Sequence, residues 1–437
     1  MGMNVTQKAL LSAIEDESAA PGDLIFPVYT LAYGTERTLS SAAGILQEMD
    51  FPQPADPARV LAISTQYLPS AGNLHGKRER RLRETVDRLR LERYYPAGRG
   101  GVAPIHLAQR GLVVPGDIVI GGDIHAAALG AIGVLSFPVG STDLAVALAL
   151  GKFWLHLPEA VRVTFQGTPD QLVTGKDFGL LMLRETEQSR IAGRAIEFDG
   201  DAIAELSPSG RFTLAEMALD AGGTNGIMVP DDKILEFLAG SATREARYYF
   251  PDDDAEYAEE IEMEVDRLTP MVHELSDSRN IYSIEAVEAI IPVHQVIIGG
   301  CSGGQMEDLL TVAKVMKYRE IPDHVRLHLI PATTGVYREM INGGLASIFA
   351  ELGAIIWPPG CNLCPDSTFH GIAPGENVVT TGRGRRLRDN NRVWSTGVAV
   401  AAASAVTGYL TDPRELVTET GDGEPPPDVN IQEFMSG

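Results

Sequence analysis

Three cysteines carry the chemistry that this sequence offers most plainly. Cys361-Asn362-Leu363-Cys364 is a C-x-x-C pair, and Cys301 stands earlier, between Gly300 and Ser302. A C-x-x-C pair can bind zinc, hold an iron–sulfur cluster or exchange electrons, and buried thiols also occur with no chemical task. Redox exchange lacks the sequence context of a thioredoxin-like motif here. Structural zinc usually takes four ligands. A histidine would have to complete such a set, and His370 is the nearest candidate. Three thiolates suit a 4Fe–4S cluster that keeps one iron open. That iron acts as a Lewis acid toward a substrate hydroxyl and carboxylate. The cysteines alone leave zinc and cluster both open.

The segments around these cysteines read as strand ends. Residues 293–299 form an apolar run leading into Gly299-Gly300-Cys301, and residues 354–357 stop at Pro358-Pro359-Gly360-Cys361. Small residues beside a cysteine let backbone amides approach a metal-bound sulfur. The same grammar recurs upstream. Residues 24–31, 59–64 and 117–121 are short apolar runs of buried-strand type, the last entering Gly121-Gly122-Asp123. Residues 161–166 alternate as a strand does. Periodic apolar positions predict helices over 75–92, 143–153, 213–221, 231–239 and 306–316. The acidic stretch 250–264 reads as a solvated helix or loop. A boundary falls near residues 276–283. Strand, glycine turn and helix in alternation imply an α/β fold with mostly parallel sheets and sites at strand ends.

The bulk properties exclude several classes. The 437 residues suggest about three domains. A net charge of −23 repels nucleic acid and anionic membranes. No apolar run reaches the ~20 residues of a membrane span. The first residues lack a secretory pattern, and so few cysteines argue against a disulfide framework. The expected location is cytoplasmic, in reducing conditions.

Longer motifs add a resemblance. They include Pro115-Gly116-Asp117, Gly122-Asp123-Ile124-His125, Gly140-Ser141-Thr142-Asp143 and Val229-Pro230-Asp231-Asp232. Gly300-Cys301-Ser302-Gly303-Gly304, Pro359-Gly360-Cys361-Asn362-Leu363-Cys364 and Ala373-Pro374-Gly375-Glu376 come next, in order. In this order the chain resembles the large subunit of isopropylmalate isomerase and its relatives in the aconitase superfamily. The resemblance implies three α/β/α domains around a 4Fe–4S cluster held by Cys301, Cys361 and Cys364. Residues 1–280 would hold the first two domains and 281–420 the third, with 421–437 a loose tail. It implies an iron–sulfur hydro-lyase or isomerase acting on a small hydroxy carboxylic acid. It also implies a separate small subunit, which carries the swivelling domain and the serine base.

The resemblance carries Asp123 and His125 into acid–base roles and places Asp220 where the family has a glutamate. Arg383 and Arg388 fall on the family's two carboxylate-gripping arginines, with Arg385 and Arg386 close by. Guanidinium groups pair bidentately with carboxylate. Other positions depart from the pattern. Thr65 and Gln66 stand where an Asp-His pair is usual, at the substrate-facing end of an early strand, and neither titrates near neutral pH. Ile124 replaces a serine, and Pro104 stands near a usual histidine, with His106 close by. Such changes admit a different lyase reaction on the same scaffold, or a cluster-binding regulatory subunit.

Overall fold

The computed structural model describes residues 2–14, 18–66, 68, 72–277, 279–317, 319–361, 372–383 and 392–418. The chain divides into two compact units. One comprises Met1–Thr168 and Glu185–Val265; the other comprises Pro169–Arg184 and Asp266–Gly437.

The first unit is built on two parallel sheets. Among the described residues, a five-stranded sheet runs in the order Arg93–Tyr95, Val60–Ile63, Leu31–Thr35, Ile118–Gly121, Leu135–Pro138. Every neighbouring pair in it is parallel. The chain winds outward from Leu31–Thr35 in one direction, then returns and winds outward in the other. That leaves a switch point between Leu31–Thr35 and Ile118–Gly121, where α/β sheets open a crevice at the strands' carboxyl ends. The helices Thr38–Glu48 and Ser141–Leu150 pack together beside this sheet. Leu39, Leu46, Leu144 and Leu148 are fully buried there, and each such leucine contributes roughly 1.5–3 kcal/mol.

A second parallel sheet in this unit has the order Asn225–Met228, Ala195–Asp199, Ala160–Gln166, Glu259–Glu264. Its last strand lies in the acidic stretch expected to be a helix or loop. Ile261 and Met263 are buried while Glu260, Glu262 and Glu264 are exposed. Period-two alternation therefore operates beneath a composition that looks uniformly solvated. The apolar run 24–31 also differs from the expected single strand. Leu24–Ile25 pairs with Leu155–His156, and a new strand starts at Leu31. Pro27, which has no amide hydrogen to offer a ladder, interrupts the run.

The second unit centres on a mixed sheet. Its described strands run in the order Ile281–Ser283, Met271–Glu274, Arg392–Thr396, Asn377–Thr380, Gln295–Gly299, Arg326–Ile330, Ile355–Ile356. The five from Arg392–Thr396 to Ile355–Ile356 are parallel. The switch point lies between Gln295–Gly299 and Asn377–Thr380. The helix Met306–Met316 starts at a capping box of Gln305 and Asp308. It packs against the alanine-rich helix Val398–Thr407. Among the described residues no helix is long and apolar enough to cross a membrane.

Candidate functional site

In each unit the chemistry-bearing side chains collect at the carboxyl end of a parallel sheet. In the first unit, Ile118–Gly121 runs into Gly122 and Asp123. A Cβ on Gly121 would lie 2.6 Å from the Tyr33 ring, and one on Gly122 would lie 2.2 Å from Thr38 Oγ1. Bare backbone at both positions lets Tyr33 reach across from the neighbouring strand. Its hydroxyl donates to Asp123 Oδ1 at 2.9 Å. The same oxygen caps the 3-10 helix Ile124–Ile132 by accepting from His125 N at 2.9 Å. Asp123 Oδ2 is shielded and has no partner. Burial pushes the Asp123 carboxyl above its ordinary range, against the opposing pull of His125.

His125 is fixed by a residue that the sequence motifs do not single out. Its Nδ1 lies 2.8 Å from Glu216 Oε1, and both side chains are buried. Glu216 sits on the helix Pro208–Met217, which packs along Ile124–Ile132. Ser207 and Pro208 start that helix, and Arg211, 1% exposed, pins it through a pair with Asp231. Gly130 lets the strand Asn225–Met228 approach the same 3-10 helix, since a Cβ there would meet Gly226 O at 1.6 Å. A carboxylate on Nδ1 sets the ring's tautomer and orientation. Asp220 lies just past the end of the same helix and is exposed, so the structure brings Glu216 to His125 instead. Ile124 is 40% exposed.

Thr65 and Gln66 lie just past the strand Val60–Ile63. Their backbone amides donate to Glu36 Oε2 and Oε1, at 3.2 and 2.7 Å. Glu36 directly follows the strand Leu31–Thr35 and is buried. An acid at a strand end of an α/β fold was a readable signal, unlike Glu216, whose partner is 91 residues away. His106 lies in the helix Ala103–Gln109, edge-on to Tyr95 with ring centroids 4.3 Å apart. Burial, helped by Arg110, lowers its pKa to about 4. It is therefore neutral at pH 7.

In the second unit, Gly299 and Gly300 adopt φ of +122° and +76°, and Gly303 one of +90°. Side chains rarely tolerate such values. A Cβ on Gly303 would meet Val398 Cγ1 at 2.7 Å. Thr381 stitches the turn, its Oγ1 accepting from Gly299 N at 3.0 Å and donating to Ser302 O at 2.6 Å. A Cβ on Gly300 would lie 3.5 Å from Gly360 O, so the turns bearing Cys301 and Cys361 run side by side. Both thiols are 3% exposed, and neither is in a disulfide. Two buried thiols on adjoining glycine turns fit an iron–sulfur cluster in donor softness and in the bare backbone beside them. Arg383 is half-buried after the strand Asn377–Thr380. Cys364, His370, Arg385, Arg386 and Arg388 lie outside the described residues.

Known proteins resemble this chain along most of its length. The family model described as Aconitase family (aconitate hydratase) matches residues 47–289 and 277–408. The 3-isopropylmalate dehydratase large subunit of Syntrophus aciditrophicus is 36% identical over 423 residues, covering 95% of this chain and 100% of that one. The corresponding subunit of Moorella thermoacetica is 35% identical, with the same two coverages. The 3-isopropylmalate dehydratase large subunit 1 of Pyrococcus abyssi is 33% identical over 422 residues, again covering 95% of this chain and 100% of that one. Among solved structures, the holo-form of Thermococcus kodakaraensis aconitase X aligns with a TM-score of 0.50 at 14% identity. That alignment covers 94% of this chain and 95% of that chain, a likeness of fold.

Proposed function

The chain belongs to the aconitase family, and from that membership we propose that it is the large, cluster-bearing subunit of a hydro-lyase acting on a small hydroxy carboxylic acid. The observation that carries the reading is the pair of buried thiols, Cys301 and Cys361, on adjoining turns at one sheet's carboxyl end. Cys364 completes the set of three thiolates by its place in the C-x-x-C pair. A 4Fe–4S cluster bound there supplies an open, Lewis-acidic iron for a substrate hydroxyl and carboxylate.

The protein's own residues handle protons and charge. His125, oriented through Nδ1 by Glu216, serves in proton transfer. Asp123 holds the turn before it and, with its carboxyl pushed up by burial, retains a proton more readily than an exposed aspartate. Arg383 and Arg388 pair with a substrate carboxylate. Thr65, Gln66 and Ile124 contact the rest of the substrate. Asp220, exposed, has a weaker claim than Glu216. The relatives are named as large subunits, which supports a separate small subunit as partner. The excess of acid, net −23, supports neither nucleic acid nor anionic membrane as a partner. Cysteines outside any disulfide suit a reducing cytoplasm.

Anaerobic purification with subsequent iron, sulfide and zinc analysis tests the cofactor. Iron and sulfide in cluster ratio are expected, and stoichiometric zinc without sulfide would refute it. With the small subunit added, malate, citrate and their alkyl homologues are assayed by double-bond absorbance. A second reading, a binding subunit without turnover, is favoured by non-titrating Thr65 and Gln66 at their strand end. A fully loaded complex that turns over no hydroxy acid would establish it.

A further inference from the structure

At the carboxyl end of the five-stranded sheet, one buried acid has no task in the chemistry of the hydro-lyase as assigned so far. Glu36 is 2% exposed. Burying a carboxyl is costly unless its oxygens are satisfied. Here both are taken by backbone amides of one turn, Thr65 N and Gln66 N. Burial pushes the acid up to about 8 against the pull of those amides, and Glu79, of like sign, adds to the rise. Glu79 itself accepts from Ser64 Oγ at 2.7 Å, so the residue before the turn is also held.

The turn so fixed keeps its own polar atoms unspent. Thr65 is 1% exposed, and its Oγ1 has no partner. Gln66 Oε1 is likewise shielded and unpartnered, as is Asp123 Oδ2 at the end of a nearby strand of the same sheet. Buried polar atoms are nearly always hydrogen-bonded, so each such exception points to a missing partner. Gln66 Oε1 only accepts, and the Thr65 hydroxyl can do either. A carboxylate has no proton to give to Gln66 Oε1. An alcohol both donates and accepts, and carries no charge.

We propose that Glu36 is a positioning residue of the hydro-lyase: it grips the two amides of the Thr65–Gln66 turn so that Thr65 Oγ1 and Gln66 Oε1 receive the hydroxyl of the substrate. The inference rests on the hydro-lyase reading and assigns the hydroxyl, not a carboxylate, to this end of the sheet.

The test pairs acids that differ by one hydroxyl, malate with succinate and citrate with tricarballylate. Binding to the full chain is measured by calorimetry. Wild type should prefer at least one hydroxy acid over its deoxy partner by about tenfold, the scale of one buried hydrogen bond. Thr65→Val, which keeps the gripped amide and removes only the hydroxyl, should cut that preference about tenfold and leave the deoxy acid's affinity unchanged. Glu36→Gln retains one acceptor of two. It should quicken hydrogen exchange at Thr65 and Gln66 about tenfold and raise KM more than it lowers kcat. Should Glu36→Gln fail to fold, Thr65→Val decides alone. A preference undiminished by Thr65→Val, with turnover intact, overturns the role of Glu36 and spares the hydro-lyase reading. Failure of every hydroxy acid to bind wild type overturns both.

Discussion

Two sheets of one chain solve the same geometric problem with opposite chemistry. Each is doubly wound, and each opens a switch point at its carboxyl end. In the first unit that end gathers groups that hold protons: Glu36, His125 and Glu216, buried, and Asp123, half-buried, all tied by hydrogen bonds. In the second it gathers thiols and bare backbone: Cys301 and Cys361 among glycines whose φ values side chains rarely adopt. Proton chemistry needs bulky side chains held in register by distant partners. Metal chemistry needs soft donors and room for amides to approach them. The difference lies in the turn at each strand's carboxyl end, since the strands themselves are interchangeable apolar runs.

The largest effect should come from the thiol side. Cys301→Ser should reduce iron and sulfide to background while far-UV circular dichroism stays native, and a retained cluster would break the contrast between the two ends. Next, His125→Ala should cost on the order of 10²–10⁴ in rate, the usual scale for lost acid–base catalysis. Its iron and sulfide content should match wild type. Loss of both rate and cluster would show that the two ends are not chemically separable. Arg383→Ala should weaken carboxylate binding by about 1.5–3 kcal/mol, as for a charged hydrogen bond. Calorimetry with a deoxy acid reads this directly, and unchanged affinity would move the anion site elsewhere.

A readout of stability sharpens the comparison through pH. Glu36, in the first unit, is raised from 4.5 to about 8, and Asp177, in the second, from 3.8 to about 6. Both rises come chiefly from burial, and in each case the folded state holds the proton more tightly than the unfolded chain. The stabilising contribution is therefore full below the unfolded value and lost as pH rises through the folded one. The stability advantage of wild type over Glu36→Gln should shrink from pH 4.5 to about 8. Over Asp177→Asn it should shrink from pH 3.8 to about 6 and then stay level. Each kcal/mol moves the unfolding midpoint by about 2–4 °C in units of 150–250 residues. Parallel curves across both windows would show that burial is not what shifts these groups.

The legibility of this molecule in its sequence tracks the range of the forces involved. The α/β class was readable because apolar runs and glycine turns are local. The helix Met306–Met316 was readable to its ends because its capping box lies within four residues of chain. The cysteine turns could be placed at strand ends for the same reason. The strand Glu259–Glu264 was hidden because four glutamates outweigh two alternating apolar positions in any average of polarity. The 3-10 helix Ile124–Ile132 carries a largely apolar sequence with no face to detect. Glu216 was beyond reach, since its meaning comes from His125 through the packing of two helices. Asp220, one helical turn later, had the better motif and the worse burial.

The segment Pro169–Arg184 belongs to the second unit although the first unit has yet to be finished when it is made. Asp177, within it, accepts from Met271 N at 2.7 Å across 94 residues. At synthesis rates of 5–20 residues per second, that amide emerges roughly 5–20 s after the carboxylate. Over that interval Asp177 stays hydrated and charged, and Phe178 beside it, fully buried in the folded protein, waits for cover. Likewise, Ala160–Gln166 waits for its edge strand Glu259–Glu264. Neither unit can close on the ribosome in simple N-to-C order. The interleaving gives the nascent chain a timetable, in which the first unit's last strand and the second unit's first strands emerge almost together.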